Sequence, residues 1–259
     1  MGIQRVKSKW AKTNALLQSD TLSGHIPETI QWSREGLQTM LDECGMLYVK
    51  PDQGTFGGGV IRIEKVDEDH YTYQLGTKLR TFPAFVQMAD RLERELGSRP
   101  YLIQKGIELL KYNGRRFDIR VMVQKNLRDR WETTGIIGRL GHPLKVVTNY
   151  HSGGKPMTFE TLMGSHLSPK AVKSYNNWLR TLGVSVASQL QTVYPRIKEI
   201  GIDIAVDTDF NPWILEVNTM PDPYLFRKLP DKKVYLKVSK YCKAYGRFRK
   251  KKRSSPRKT

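Results

Sequence analysis

Apolar residues at three- and four-residue spacing pick out four helices along the chain. In "SREGLQTMLDECG", Leu37, Met40, Leu41 and Cys44 share one face. Ser33 supplies a side-chain cap before them and Gly45 a stop after them. "TFPAFVQMADRLERELG" repeats the pattern, with Thr81 as the expected cap, a stripe of Phe85, Met88, Leu92 and Leu96, and Gly97 as the stop. Ser168-Pro169 opens the longest helix, whose stripe runs through Val172, Tyr175, Leu179, Leu182, Val186, Leu190 and Val193. The fourth lies in "KKVYLKVSKYCKAYGRF", with Val234, Val238, Tyr241, Tyr245 and Phe248 on one side and lysines elsewhere.

Between the helices, short apolar or alternating runs predict strands: "MLYVKP", "GVIRIEKV", "YTYQLG", "YLIQKGI", "FDIRVMVQ", "WETTGIIGRL", "IDIAVD" and "WILEVN". They come in pairs broken by helices, not in regular alternation. That order predicts an α+β fold with antiparallel sheets instead of a doubly wound parallel sheet.

Composition narrows the class. A chain of 259 residues with 39% hydrophobic content can form one large domain or two modest ones sharing a cleft. No apolar run reaches the roughly 18–20 residues of a membrane span, and the basic N-terminus lacks the apolar core of a secretory signal. Cys44 and Cys242 are too far apart to suggest a disulfide framework or a zinc site. The expectation is a soluble, cytoplasmic protein. The net charge of +19 is uneven, because thirteen of the 44 Lys and Arg lie from Lys232 onward, where no acidic residue occurs. The last ten residues are charged and helix-breaking, and disorder is expected there.

Three stretches carry chemistry. In "YVKPDQGTFGGGVIRI" a strand delivers Lys50 and then enters a loop with glycines at 54, 57, 58 and 59. Such a loop is either a hairpin with a flexible tip or an anion nest of backbone N–H groups beside a lysine. It is neither a Walker loop, since no Lys-Ser or Lys-Thr follows, nor a dinucleotide fingerprint, since a strand follows. In "GIDIAVDTDFNPWILEVN" a hairpin can set Asp203 beside Glu216, and Asn218 leaves the same strand face as Glu216. The acids are either a solvated rim or two carboxylates plus an amide oxygen, the donor set of Mg²⁺ held with a phosphate substrate. "YLIQKGIELL" has the form of a hinge, with Gln104-Lys105 between apolar runs whose backbone could meet a flat heterocycle. Asp118 and Arg120 share a strand face, either as a surface ion pair or as part of a site. Arg139 and "VVTNYHSGGK" with Asn149 add a cation and a second glycine pair.

Taken in order, "KWAKTNALL", "HIPET", "YVKPDQGTFGGGVIRI", "LIQKGI", "FDIRVMVQKN", "TGIIGRL", "VTNYHSGG" and "GIDIAVD…WILEVNTMPD" resemble an ATP-grasp domain. Within that superfamily the chain resembles the YheC/YheD endospore-coat-associated proteins over most of residues 5 to 230. The resemblance implies two α+β subdomains with mainly antiparallel sheets enclosing a nucleotide cleft. Residues 1–230 would form the ATP-grasp domain, with about 30–102 as a smaller lid and 103–230 as the metal-binding part. Residues 231–259 would be a basic C-terminal helix and disordered tail.

The same resemblance assigns roles. Lys9 and Lys50 would bind ATP phosphates, with Gly57, Gly58 and Gly59 closing over them. Gln104 and Lys105 would meet adenine, Asp118 the ribose, and Asn149 would also belong to the ATP site. Arg139, with Lys50, would act in phosphoryl transfer, and Asp203, Glu216 and Asn218 would hold one or two Mg²⁺, or Mn²⁺. The implied reaction joins a carboxylate to an amine through an acyl phosphate, in a spore-associated setting, with both substrates unspecified. Two departures stand out: only eight residues precede Lys9, so no leading domain is expected, and Asp222 follows Pro221 where such ligases commonly carry Gly. A nucleotide-binding assembly module without catalysis is therefore the alternative expectation. The basic tail adds a third, contact with an anionic polymer or surface; specific nucleic-acid recognition is not expected, because docking the aromatic stripe on the domain explains the helix more simply.

Overall fold

The computed structural model describes residues 2–55, 57–67, 70–148 and 150–248. The chain runs α1 (Lys9–Leu17), α2 (Asp20–Ser23), β1 (Thr29–Gln31), α3 (Arg34–Cys44), β2 (Met46–Pro51), β3 (Ile61–Lys65), β4 (Tyr71–Leu75), β5 (Lys78–Phe82), α4 (Phe85–Leu96) and β6 (Tyr101–Lys105). It continues through β7 (Lys111–Tyr112), β8 (Arg115–Lys125), β9 (Trp131–Leu140), β10 (Lys155–Met157), α5 (Phe159–Met163), α6 (Pro169–Val193), β11 (Glu199–Val206), β12 (Pro212–Asn218) and α7 (Lys232–Ala244). The helix signals read from the sequence act as expected at three starts or stops. Ser33 Oγ accepts from Gly36 N at 2.9 Å, Ser168 caps α6, and Gly45 takes φ +70°.

Two antiparallel sheets result. The first has strand order β1-β6-β2-β3-β4-β5 and is covered by α3 and α4, with Leu37, Leu41, Leu47, Ile63, Met88 and Leu92 in its core. The second has order β10-β9-β8-β11-β12, with β7 beside β8. One of its faces packs under α6 and α1, burying Val121, Val123, Ile136, Leu179 and Val186. On the other face Met122, Ile137, Phe226, Val238 and Cys242 form a separate core under α7 and a 3₁₀ turn, Tyr224–Lys228. Successive strand residues point to opposite faces, so Val121 and Met122 serve different cores. That explains why consecutive apolar residues occur in mid-strand, Val121-Met122-Val123 in β8 and Ile136-Ile137 in β9.

Several expectations need correction. Thr81 does not cap a helix; it sits in β5 opposite Thr72, and α4 starts at Phe85 behind Ala84 without a side-chain cap. Strand pairing with β4 takes this stretch ahead of Pro83. The lid does not end at residue 102, because β6 lies inside the first sheet, between β1 and β2. The chain leaves that sheet only after Lys105, and α1, ahead of the lid, packs on α6 and β12. As its apolar stripe predicts, α7 docks on the domain, with Val238 and Cys242 fully buried on the second sheet. The expected tail beyond residue 248 lies outside the described residues. Among those described, no helix is long and apolar enough to cross a membrane.

Candidate functional site

A cleft of about 370 Å³ opens between the two sheets. Its first wall is the end of β2 and the loop that follows. Asp52 ties this loop to the start of α1: its Oδ1 accepts from Ser8 Oγ at 3.0 Å and Trp10 N at 2.8 Å, and its carbonyl accepts from Lys9 N at 3.0 Å. The arrangement brings Lys9 and Lys50 to the same end of the cleft. Lys9 Nζ lies 3.7 Å from Glu216 Oε1 and 3.4 Å from Gly54 O. Lys50 Nζ donates to Gln104 Oε1 at 2.5 Å. Gly54, Thr55, Gly57 and Gly58 line the cleft, with Gly57 at φ +74°. Gly59, at φ +75°, turns away, and a Cβ there would meet Pro51 Cγ at 3.0 Å. Its role is to let the loop pass close over Pro51.

The facing wall is a ladder of buried charges on the second sheet. Across β8 and β9, Asp118 is opposite Arg139; across β8 and β11, Arg120 is opposite Asp203. Arg139 Nε donates to Asp118 Oδ1 at 2.8 Å and its Nη2 to Asp118 Oδ2, while Nη2 also lies 3.0 Å from Asp203 Oδ2. Arg120 Nε completes the run with Asp203 Oδ1 at 2.5 Å. All four side chains are buried. The register then places Glu216 opposite Asp203 and Asn218 opposite Gly201, with a shift between Asp203 and Ile204 where β12 carries an extra residue, Leu215.

Burial acts on these groups with different outcomes. It would raise the Asp203 carboxyl, but Arg120 and Arg139 outweigh it and hold the pKa below the usual range. Burial would lower Arg139, yet Asp118 and Asp203 raise it. Lys50 falls to about 8, chiefly by desolvation; Glu216 works against the fall and Lys9 reinforces it. Lys12, buried behind Lys9 with its Nζ on Val6 O at 3.1 Å, also falls to about 8 by desolvation.

The donors fit a hard divalent cation. Glu216 and Asn218 line the cleft, and each Asp203 oxygen retains a lone pair beyond the one given to an arginine. Among the described residues no three or more His, Cys, Asp or Glu side chains converge. A two-carboxylate, one-amide set of this kind suits Mg²⁺ that takes its remaining ligands from phosphates and water.

The structure thus brings Lys9, Lys50, Gly57, Gly58, Lys105, Asp118, Arg139, Asp203, Glu216 and Asn218 to one cleft. It does not bring Gln104 there: that residue is paired with Thr29 on one side and Tyr48 on the other, and its side chain is buried on Lys50 and Thr29. The hinge wall is instead Lys105, in the last β2–β6 pair, and Ile107 and Leu109 beyond it. Asp118 lines the cleft with its carboxylate committed to Arg139. Asn149 lies outside the described residues.

Sequence reasoning missed the anchor behind the metal-type ligands. Fully buried Glu199 binds Arg5 Nη2 at 2.7 Å, Arg247 Nη1 and the Tyr245 hydroxyl at 2.7 Å. The same two arginines reach the segment after Asn218: Arg5 Nη1 donates to Thr219 O, and Arg247 Nη2 donates to Pro221 O at 2.7 Å. Val6 N adds a bond to Thr219 Oγ1 at 2.8 Å. Arg247 lines the cleft from beyond the end of α7. The only sequence signal for this anchor was a second acid, Glu199, four residues ahead of Asp203 at the start of the same strand.

Comparison with known proteins fits this geometry. A family model described as YheC/D-like ATP-grasp matches residues 4–248, so it includes α7 and Arg247. The endospore coat-associated protein YheC of Bacillus subtilis (strain 168) is 27% identical over 233 residues, covering 88% of this chain and 64% of YheC. YheD of the same organism is 24% identical over 197 residues, 72% of this chain and 43% of YheD. The chain therefore spans about two thirds or less of the curated relatives it matches. Among solved structures, the ADP complex of purK, N5-carboxyaminoimidazole ribonucleotide synthetase, superposes with a TM-score of 0.54 at 10% identity, over 92% of this chain and 52% of that one. The C-terminal domain of K. lactis Pby1, an ATP-grasp enzyme, gives 0.50 at 15% identity over 92% and 73%. At those identities the likeness is one of fold.

Proposed function

The chain belongs to the YheC/D-like ATP-grasp family, and from that membership we propose that it binds ATP with Mg²⁺ and joins a carboxylate to an amine. The observation that carries this reading is the pairing across one cleft of a Lys9–Lys50–glycine-loop wall with the Asp203–Glu216–Asn218 set. In this reading Lys9, Lys50 and the N–H groups of the loop hold the phosphates. Lys105 to Leu109 flank the base. Asp203, Glu216 and Asn218 would hold Mg²⁺, which when bound neutralises phosphate charge and orients the transferred group.

The chain's own residues then do the positioning. Asp118 fixes Arg139 by two hydrogen bonds, so the guanidinium is aimed before substrate arrives and can stabilise charge developing on the transferred phosphoryl group. A carboxylate oxygen attacks the γ-phosphorus and ADP leaves. The amine then attacks the acyl carbon, inorganic phosphate departs, and the nitrogen gives up a proton. Closure of the loop over the cleft would exclude water from the acyl phosphate. The naming of YheC and YheD as endospore coat-associated supports a spore-associated setting for this chain too.

Calorimetric titration of ATP, with and without Mg²⁺, tests the binding half of the proposal. Wild type should bind more tightly with Mg²⁺, and Glu216→Ala should lose that difference while staying folded. Absence of nucleotide binding by folded wild type would overturn the reading. One observation favours a second reading, a nucleotide-binding module without ligase chemistry: both Asp203 oxygens are already engaged by arginines. Release of ADP together with a new amide would exclude it.

A further inference from the structure

At one end of the cleft large apolar and aromatic side chains remain in solvent: Met220 is 67% exposed, Tyr224 50% and Phe248 39%. Exposed apolar surface gathered in one place marks an interaction site more often than isolated exposed residues do. Tyr224 stacks on Phe248 with centroids 6.1 Å apart and lies 6.4 Å from Tyr235, so three rings run in a row. Cations decorate this shelf: Arg227 sits 5.5 Å from the Tyr235 ring, and Lys228 sits 5.7 Å from the ring of Tyr150. Met220 and Tyr224 also line the cleft, so shelf and cleft form one continuous surface.

We infer that this shelf binds an acidic peptide chain and leads it toward the Arg120–Arg139 end of the cleft. The inference rests on the ligase reading and deepens it: the carboxylate substrate belongs to a peptide instead of being a small free acid. Ring faces pack against backbone amides and side-chain stems, while the Arg227 and Lys228 heads meet carboxylates. A purely structural role does not account for the shelf. Val238, Cys242 and Tyr245 already anchor α7, whereas Phe248 and Tyr224 leave much of their surface in water. A small acid held inside the cleft would have no use for the Tyr235 and Phe248 rings, which lie outside its lining. An anionic glycan would share the charge but not the amide planes or the amide-forming chemistry.

The test titrates pentaglutamate, free glutamate, pentalysine and a galacturonate pentamer into the full chain, followed by calorimetry. Pentaglutamate should bind about tenfold or more tightly than free glutamate. The double variant Arg227→Glu/Lys228→Glu and the single variant Phe248→Ala should each remove most of that gain. Arg227, Lys228 and Phe248 lie on the surface outside the cleft lining, so Mg·ATP binding should be unchanged in both variants, which also serves as the folding control. Equal affinity for free glutamate, tighter binding of pentalysine or the galacturonate pentamer, or pentaglutamate binding indifferent to both variants would overturn the inference. If wild type bound pentaglutamate in this charge- and ring-dependent way but bound no Mg·ATP, the ligase reading would fall and the peptide surface would stand.

Discussion

Arg139 and Lys50 stand on facing walls of one cleft, and their surroundings have treated them in opposite ways. Burial disfavours the charge on both. Arg139 has Asp118 and Asp203 on either side and is held firmly cationic. Lys50 has an amide oxygen as its direct partner, with Glu216 offset by Lys9, and drops to about 8. One wall is electrostatically complete within the protein, and the other carries more cation than its own anions balance. The first wall supplies rigid positioning. The second has the surplus positive charge and responsiveness to pH that suit an anionic ligand.

Breaking the complete wall should have the largest effect. Asp203→Asn leaves Arg120 and Arg139 buried with one carboxylate between them, and removing one member of a buried ion network typically costs about 3–5 kcal/mol. Urea unfolding should show a loss of that size; a loss below about 1 kcal/mol would mean that the arginines find other partners. Lys50→Met should behave in the contrary way. It removes a desolvated charge and keeps the stem, so stability should hold or rise, while ATP affinity falls by at least about tenfold. A variant as unstable as Asp203→Asn would erase the distinction between the walls.

The pH dependence sharpens the contrast. Lys50 and Lys12 bind protons more weakly in the folded state than in the unfolded one, where their ordinary value is 10.5. Between about 8 and 10.5 the unfolded chain holds more protons, so these lysines make stability rise with pH across that window. Asp203 acts at the acid end: its depressed carboxyl contributes stability that is lost as pH falls below 3.8, its ordinary value. Bound phosphate would raise Lys50 again, so ATP binding near pH 8 should take up protons and weaken as pH rises further. Titrations in two buffers of different ionisation enthalpy would show this uptake as unequal heats, and equal heats would remove Lys50 from the phosphate site. The smallest effect belongs to Gly59→Ala. Its φ of +75° and the 3.0 Å approach to Pro51 Cγ imply a stability loss of about 1 kcal/mol, readable as a small fall in Tm.

The catalytic-type wall was legible in the sequence because it is written in strand alternation. Glu216 sharing a face with Asn218 follows from a period of two and a hairpin brings both near Asp203, but the pairing of Asp203 with Glu216 needs the extra residue Leu215 that shifts the register. Arg120 was visible only as a neighbour of Asp118; that it holds Asp203 depends on β8 lying next to β11, a pairing made across most of the second body. Gln104 was misplaced for a related reason. Nothing local reveals that β6 is flanked on both sides, which turns its backbone from a free edge into sheet interior. Thr81 carries the local marks of a helix cap, and pairing with Thr72 overrode them. The docking of the basic helix was legible in its apolar stripe, from which Val238 looks inward onto the second sheet; Cys242, buried beside it, was not part of that stripe.

Glu199 has a consequence for how the chain is made. Its two arginine partners come from near the opposite ends of the described sequence, Arg5 and Arg247, and both also grip the stretch between Thr219 and Pro221. On the ribosome Arg5 emerges first and Arg247 long after the strands that carry Asp203 and Glu216. Until the residues beyond α7 arrive, Glu199 has only one of its two cations, and the segment following Asn218 is tethered from one side. Domains generally fold as units, with N-terminal parts available first. Here the last-made cation completes the anchor of the cleft, so a nascent chain can assemble both sheets before it has a finished site.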